Sequence, residues 1–293
     1  MNREKLRKFY HKVNKKIKNN RFLVQLNIWI VPAAKYFYFK NERLLAKGKS
    51  ISQSDKKSIL YFTAHKCAST FMSETIEKLS ASSQMVPIRF SNYFPNADED
   101  KIFEDKKFLE RAFKSKGYYY GAFRKFHKIP NLDDYFILLI VRDPRDILTS
   151  LYFSTAFNHP ISVPINIKNR KKALTQTIDE YVLEHAPRLD FELQEYINIL
   201  LPKPNVIFLK YEDMITKFAD WLPQLAKNIG MGEDVDLINQ IISKAKFSVE
   251  KEDKNSFVRN IKAGDHLEKL KPETRKQLDA IFADTLKKFN YVN

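Results

Sequence analysis

Apolar residues fall into two kinds of run along this chain. Four are short and nearly continuous: SILYFT (58–63), YYYGAF (118–123), YFILLIV (135–141) and VIFLKY (206–211), which read as buried strands. Between them, apolar positions recur at helical spacing over 69–80, 145–157, 170–186, 188–200, 216–229 and 234–245, with 272–288 closing the chain. Strands alternating with helices at this spacing predict an α/β fold with three layers, a central parallel sheet covered by helices on both faces. Only 6 glycines occur in 293 residues, which argues against a turn-rich all-β chain. The polar stretch LAKGKSISQSDKKS (45–58) reads as a linker, so the expected organisation is a helical extension over 1–50 and one domain over 51–293.

Charge sharpens that division. The formal net charge is +16, but residues 1–50 hold 14 Lys and Arg against Glu4 and Glu42, whereas residues 51–293 hold 37 against 33 Asp and Glu. A body so close to neutral gives no electrostatic case for wrapping nucleic acid. Within the extension, Leu6, Phe9, Tyr10, Val13 and Ile17 recur at helical spacing among lysines and arginines, a short basic amphipathic helix. The next run, FLVQLNIWIVPAAKYFYF (22–39), is interrupted by Gln25, Asn27, Pro32 and Lys35 and makes a poor transmembrane segment. It also lacks the small-residue cleavage site of a signal peptide. Packing of this helix on the body is the favoured reading, and peripheral membrane contact through residues 1–40 stays open. The single cysteine, Cys67, excludes an intramolecular disulfide and points to a reducing, cytoplasmic setting. No histidine spacing suggests a metal site.

In a parallel sheet, ligands bind beyond the carboxyl ends of the strands, so the residues after each strand carry the functional information. After the first comes HKCASTF (65–71). A loop entering a helix exposes unpaired N–H groups, a receptor for phosphate or sulfate, and Ser69, Thr70 and Lys66 add hydroxyl donors and a charge. It lacks the glycines of a nucleoside-triphosphatase loop, and taken alone it reads equally well as a capped helix beside a solvated lysine. After the third strand comes RDPRDILTS (142–150), in which Arg142 and Ser150 are placed to converge on one anion. After the fourth comes EDM (212–214).

These motifs resemble the sulfotransferase family that uses 3′-phosphoadenosine 5′-phosphosulfate (PAPS) and has a P-loop-like fold. HKCASTF is similar to its P-K-S-G-T-T-W loop, and VRDPRDILTSLY to its 3′-phosphate motif with Arg and Ser eight apart. YEDM (211–214) and FVRNIKAGDH (257–266) follow in the family's order, the latter resembling F-x-R-K-G-x-x-G-D-W. The resemblance spans about residues 58–266. It implies that Lys66 contacts the phosphosulfate, that the loop Cys67, Ala68, Ser69 and Thr70 binds the 5′-phosphate, and that Arg142 and Ser150 hold the 3′-phosphate. It further implies that Arg259 closes over that phosphate with Asn260 and Lys262 beside it, and that Phe71 and Tyr211 contact adenine. Ala68 stands where the family has glycine, Asn260 and Ile261 where it has Lys-Gly, and His266 where it has tryptophan.

RKFHKIP (124–130) is similar to the family's K-T-H-L-P segment and makes His127 the expected base, with Glu104, His65 and His159 as substitutes. Lys66 is expected to neutralise the leaving phosphate. Cys67 is expected to be a small loop residue, since direct transfer needs no covalent intermediate. The acceptor wall is expected from 88–100, 124–130 and 157–170, including Phe90, Tyr93, Phe94 and Phe157, and 157–170 is a candidate lid. An alcohol, phenol, glycan or lipid-linked hydroxyl all fit as acceptor, and a homo-oligomer stays open. The competing readings are a small-molecule kinase with a degenerate phosphate loop, using Asp143 and Asp146 on magnesium, and an inactive nucleotide-binding scaffold at a membrane surface.

Overall fold

Ile59 to Phe62 and Ile137 to Val141 are all fully buried, as strands covered on both faces require, and that is why their sequences read as unbroken apolar runs. A computed structural model describes residues 36–94, 96–159, 164–249, 252–254, 256 and 258–292. The amphipathic pattern of residues 1–18 and most of the apolar run 22–39 lie outside them. The described chain begins with α1 (Lys40–Ala46), β1 (Ile59–Thr63), α2 (Ser69–Ser82), β2 (Val86–Ile88), α3 (Phe90–Tyr93), α4 (Asn96–Glu104) and α5 (Lys106–Ala112). It continues through β3 (Tyr118–Phe123), β4 (Phe136–Val141), α6 (Pro144–Phe153), a π turn (Ser154–Asn158), α7 (Pro164–Leu174), α8 (Ile178–Glu195) and β5 (Val206–Lys210). The last helices are α9 (Tyr211–Thr216), α10 (Phe218–Asn228), α11 (Val235–Lys244), α12 (Asp265–Lys269), α13 (Pro272–Ile281) and α14 (Ala283–Lys288).

The five strands form one parallel sheet in the order β2-β3-β1-β4-β5. Side chains alternate between its two faces. Leu60, Phe62, Ile137, Leu139 and Val141 pack under α5, α6, α8 and the C-terminal helices. Ile59, Tyr61, Leu138 and Ile140 pack against Met72, Ile76 and Leu79 of α2 and Trp221, Leu222 and Leu225 of α10. The three-layer α/β/α expectation is met. Successive strands leave β1 on opposite sides, so the crevice between the carboxyl ends of β1 and β4 is the place such a sheet offers a ligand.

Several elements differ from the sequence expectation for identifiable reasons. The strand β2 was not anticipated: it has three residues and carries Pro87, which an edge strand tolerates. The helical patterns read separately over 170–186 and 188–200 are not divided at Pro187. The helix boundary falls instead at Thr177, which forms a capping box with Glu180, and Pro187 sits inside α8. The stretch 88–100, expected to wall the acceptor, holds the end of β2, α3 and the start of α4. Its Phe90 is a core residue, with Phe94, Phe108 and Phe113 around it at ring separations of 5.3 to 5.8 Å. The polar stretch after α1 is fastened down, because the Tyr118 hydroxyl accepts from the amides of Ile51 (2.8 Å) and Ser52 (3.1 Å). No helix among the described residues is long and apolar enough to cross a membrane.

Candidate active site

The loop leaving β1 turns sharply through two non-glycine residues in the left-handed region, Lys66 at φ 66° and Ala68 at φ 54°. Ala68 is the N-cap of α2 and caps it with no side-chain hydrogen bond, so the first amides of the helix face the loop's concave side with a positive field. Ser69 Oγ accepts from Arg124 Nη2 at 3.2 Å. Cys67 turns into the core instead, fully buried, and burial pushes its thiol up to about 12.

The exit of β4 is built by its own sequence. Asp143 caps α6 by accepting from the Arg145 amide at 2.9 Å, and Pro144 starts the helix, where a missing N–H costs nothing. The Asp143 amide donates to Glu212 Oε1 at 3.1 Å, and the Tyr291 hydroxyl donates to Glu212 Oε2 at 2.7 Å. Glu212, from the EDM segment, therefore ties the exits of β4 and β5 together. Arg142 is left 4% exposed at the strand end. Its Nη1 reaches the Lys66 carbonyl (3.4 Å) and its Nη2 the Lys262 carbonyl (3.0 Å), while its Nε has no hydrogen-bond partner among the described residues.

A cavity of about 500 Å³ opens between these exits. Lys66, Ala68, Ser69, Thr70 and Phe71 line it from the first loop, and Arg142 and Ser150 from the β4 exit and α6. Tyr211, Arg259 and Asn260 complete the wall. Residues up to 194 positions apart are thus gathered at one place. Two expected binding residues do not line it: Cys67, for the reason given, and Lys262, whose ammonium pairs with Glu268. Sequence reasoning missed Lys246, Phe247 and Ile215, which also line it, as does Arg124 from the expected segment 124–130. Arg124 had a signal, its position just past β3. Phe247 had none; it closes on Phe71 at 5.2 Å only in the folded chain.

Electrostatics follow from this crowding of cations. Burial, with Arg142, Arg259 and Arg124 close by, pushes the Lys66 ammonium down to about 8. Burial and the neighbouring Arg124 and Lys66 push His65 down to about 4. His159, which lines the cavity beside them, is also shifted down, by burial first and then by Lys66 and Arg170. Both histidines are therefore neutral at pH 7. Asp146 is held below the usual carboxylate range despite its burial, through its bonds to His266 and the charge of Arg142.

The expected base sits apart from this cavity. His127 is 6% exposed and absent from the cavity lining; its ring stacks on Phe103 at 4.0 Å and meets Phe123 edge-on at 5.6 Å. Two aromatic faces and the tight turn before Ile129 drew it into the core. Glu104 also stands outside the lining, as do Phe90, Tyr93, Phe94 and Phe157 of the expected acceptor wall.

A three-layer α/β/α sheet with a cationic crevice at its switch point defines a protein that binds an anionic nucleotide or sulfate-bearing ligand. The family model of the Sulfotransferase domain matches residues 127–290, more than half of the chain, and the chain belongs to that family. The β1 loop lies before the matched range. Among solved structures, mouse sulfotransferase SULT7A1 complexed with PAP is 17% identical with a TM-score of 0.51, covering 85% of this chain and 90% of that one. Retinol dehydratase in complex with androsterone and inactive cofactor PAP is 13% identical (TM-score 0.52, 85% of each chain). Retinol dehydratase with retinol and PAP is 15% identical (TM-score 0.52, 85% and 86%). At such identities the likeness speaks for the fold. No curated protein matches the chain.

Proposed function

We propose that this chain moves the sulfuryl group of PAPS to a hydroxyl-bearing acceptor. The observation that carries the reading is the cavity itself. Among the described residues Lys66, Arg124, Arg142, Lys246 and Arg259 line it, and no Asp or Glu does. A nucleotide with a 5′-phosphosulfate and a 3′-phosphate brings about four negative charges, of which the 3′-phosphate supplies roughly 1.5–2. Lys66, Arg124 and Lys246 answer that charge, with Arg142 and Arg259, each beside a carboxylate, adding fixed donors. Membership of the Sulfotransferase domain family supports the same reaction class.

In this reading Ser69 and Thr70, with the amides from Cys67 to Phe71, hold the 5′-phosphate. Arg142 and Ser150 hold the 3′-phosphate, with Arg259 and Asn260 over it and the backbone of Lys262 fixing Arg142. Phe71, Phe247 and Tyr211 form the adenine wall. The acceptor oxygen attacks sulfur as the bond from sulfur to the 5′-phosphate oxygen breaks. Lys66 neutralises the charge that develops on the leaving oxygen. The acceptor proton goes to a neutral histidine, and His159 in the cavity wall takes the part first given to His127. The two aspartates that a kinase would need for magnesium are already engaged, Asp143 by Arg145 and Asp146 by Arg142 and His266.

Calorimetric titration with adenosine 3′,5′-bisphosphate (PAP), AMP and magnesium ATP tests the donor. Micromolar or tighter PAP binding without metal, well above AMP, is the expected result. Equal binding of AMP, or preference for magnesium ATP, overturns it. Incubation with ³⁵S-labelled PAPS and alcohols, phenols, glycans and lipid-linked hydroxyls then reads transfer directly.

A further inference from the structure

Asp146 is fully buried in the first turn of α6, and among the described residues its carboxylate bonds to Arg142 and to a segment 118 to 120 residues away. Its Oδ2 accepts from the Gly264 amide at 2.8 Å and lies 3.5 Å from Arg142 Nη2. Its Oδ1 accepts from the His266 amide at 2.9 Å and pairs with His266 Nδ1 at 2.7 Å. Gly264 presents that amide from the left-handed region, at φ 75°, where a side chain is strained. The segment between carries the second guanidinium: Arg259 is clamped by Asp265 and Glu252 and lies 4.1 Å over the Phe153 ring. Asn260 Nδ2 donates to Asp265 Oδ1 at 3.0 Å. Arg142 in turn donates to the Lys262 carbonyl. One carboxylate therefore holds the β4-exit guanidinium and the strap 259–266 in a single register.

A buried carboxylate accepting three N–H bonds beside a guanidinium is a strong and directional clamp. Two guanidiniums discriminate a dianion only when both face it at fixed separation, since a misplaced donor forfeits the bond. We infer that Asp146, with His266 as its partner, is the positioning residue that sets preference for a 3′-phosphorylated nucleotide, by locking the strap that carries Arg259 onto the helix that follows Arg142. This rests on the nucleotide reading above. Asp146 does not touch the ligand, and its effect is confined to the ratio of affinities for nucleotides with and without the 3′-phosphate.

The test is calorimetry of PAP and AMP on the unmutated chain, Asp146→Asn and Arg142→Ala, with thermal melting as a check on folding. Asparagine keeps the size but loses one acceptor and the charge. The expected result is a PAP affinity at least tenfold weaker in Asp146→Asn with AMP affinity within twofold, so that the PAP-to-AMP ratio moves toward that of Arg142→Ala. An unchanged ratio, or an equal fall for both nucleotides, overturns the inference and leaves the donor assignment standing. An unmutated chain that does not prefer PAP overturns the donor assignment itself, and the inference with it. If Asp146→Asn does not fold, His266→Phe removes only the ring donor, and its ratio must fall at least threefold for the inference to hold.

Discussion

The Arg142 guanidinium lies over the Tyr211 ring, 4.5 Å from its centroid, which joins the first residues beyond two adjacent strands, β4 and β5, at the wall of the cavity. A desolvated cation–π contact of this kind is worth about 1–2 kcal/mol. It gives the face of the guanidinium a partner while the edge donates to the Lys66 and Lys262 carbonyls.

Tyr211→Leu is therefore expected to weaken PAP binding about 5- to 30-fold, the equivalent of that contact. Tyr211→Phe keeps the ring and is expected to stay within about twofold. Calorimetry on the two variants checks the prediction; equal losses would mean that the hydroxyl, not the ring, matters.

Lys66 gives the site a pH dependence. Its ammonium titrates at about 8 in the free protein, and an anionic ligand beside it raises that value. Binding then takes up a proton above pH 8, so PAP affinity is highest below about pH 8 and declines as pH rises through it. Lys66→Arg, which stays charged, is expected to flatten that decline over pH 7 to 9.5. Titration in buffers of different ionisation enthalpy measures the proton uptake directly.

His159 is shifted down from the ordinary histidine range, so it is already a base at neutral pH. The transfer rate is expected to fall on the acid side of neutrality as His159 takes up a proton, and on the alkaline side as the Lys66 ammonium is lost. His159→Ala should lower kcat about 10²- to 10⁴-fold with PAP binding within twofold. A rate retained in His159→Ala, with the acidic limb unchanged, would move the base to His65.

Ala68 holds φ 54° at the cap of α2, a conformation that costs a residue with a Cβ roughly 1–2 kcal/mol. Glycine relieves it at some cost in unfolded-state entropy. Ala68→Gly is expected to stabilise the chain by up to about 1 kcal/mol in urea unfolding, with an unchanged m-value. Destabilisation would show that the loop stores no strain at this position.

Much of this molecule can be read from one dimension because its signals are local. Apolar runs such as FILLIV mark strands that the sheet covers on both faces, and helices announce themselves by spacing and caps. The two anion motifs are equally local: an Asp-Pro cap after a strand and a hydroxyl-bearing turn into a helix are complete within ten residues. Their order along the chain, with the YEDM and late arginine segments, was enough to suggest the family to which the chain belongs.

What tertiary structure alone decided are the places where distant segments compete for one space. His127 has the spacing expected of a base, yet Phe103 lies 4.0 Å from its ring and the core takes it. His159 and Arg124, from a π turn and a strand exit 35 residues apart, end in the same wall. Asp146 looks like an ordinary first-turn carboxylate until Gly264 and His266 arrive against it. Spacing along a chain reports which face of its own element a residue occupies; which neighbours that face meets depends on how the sheet orders its strands and where each crossover returns.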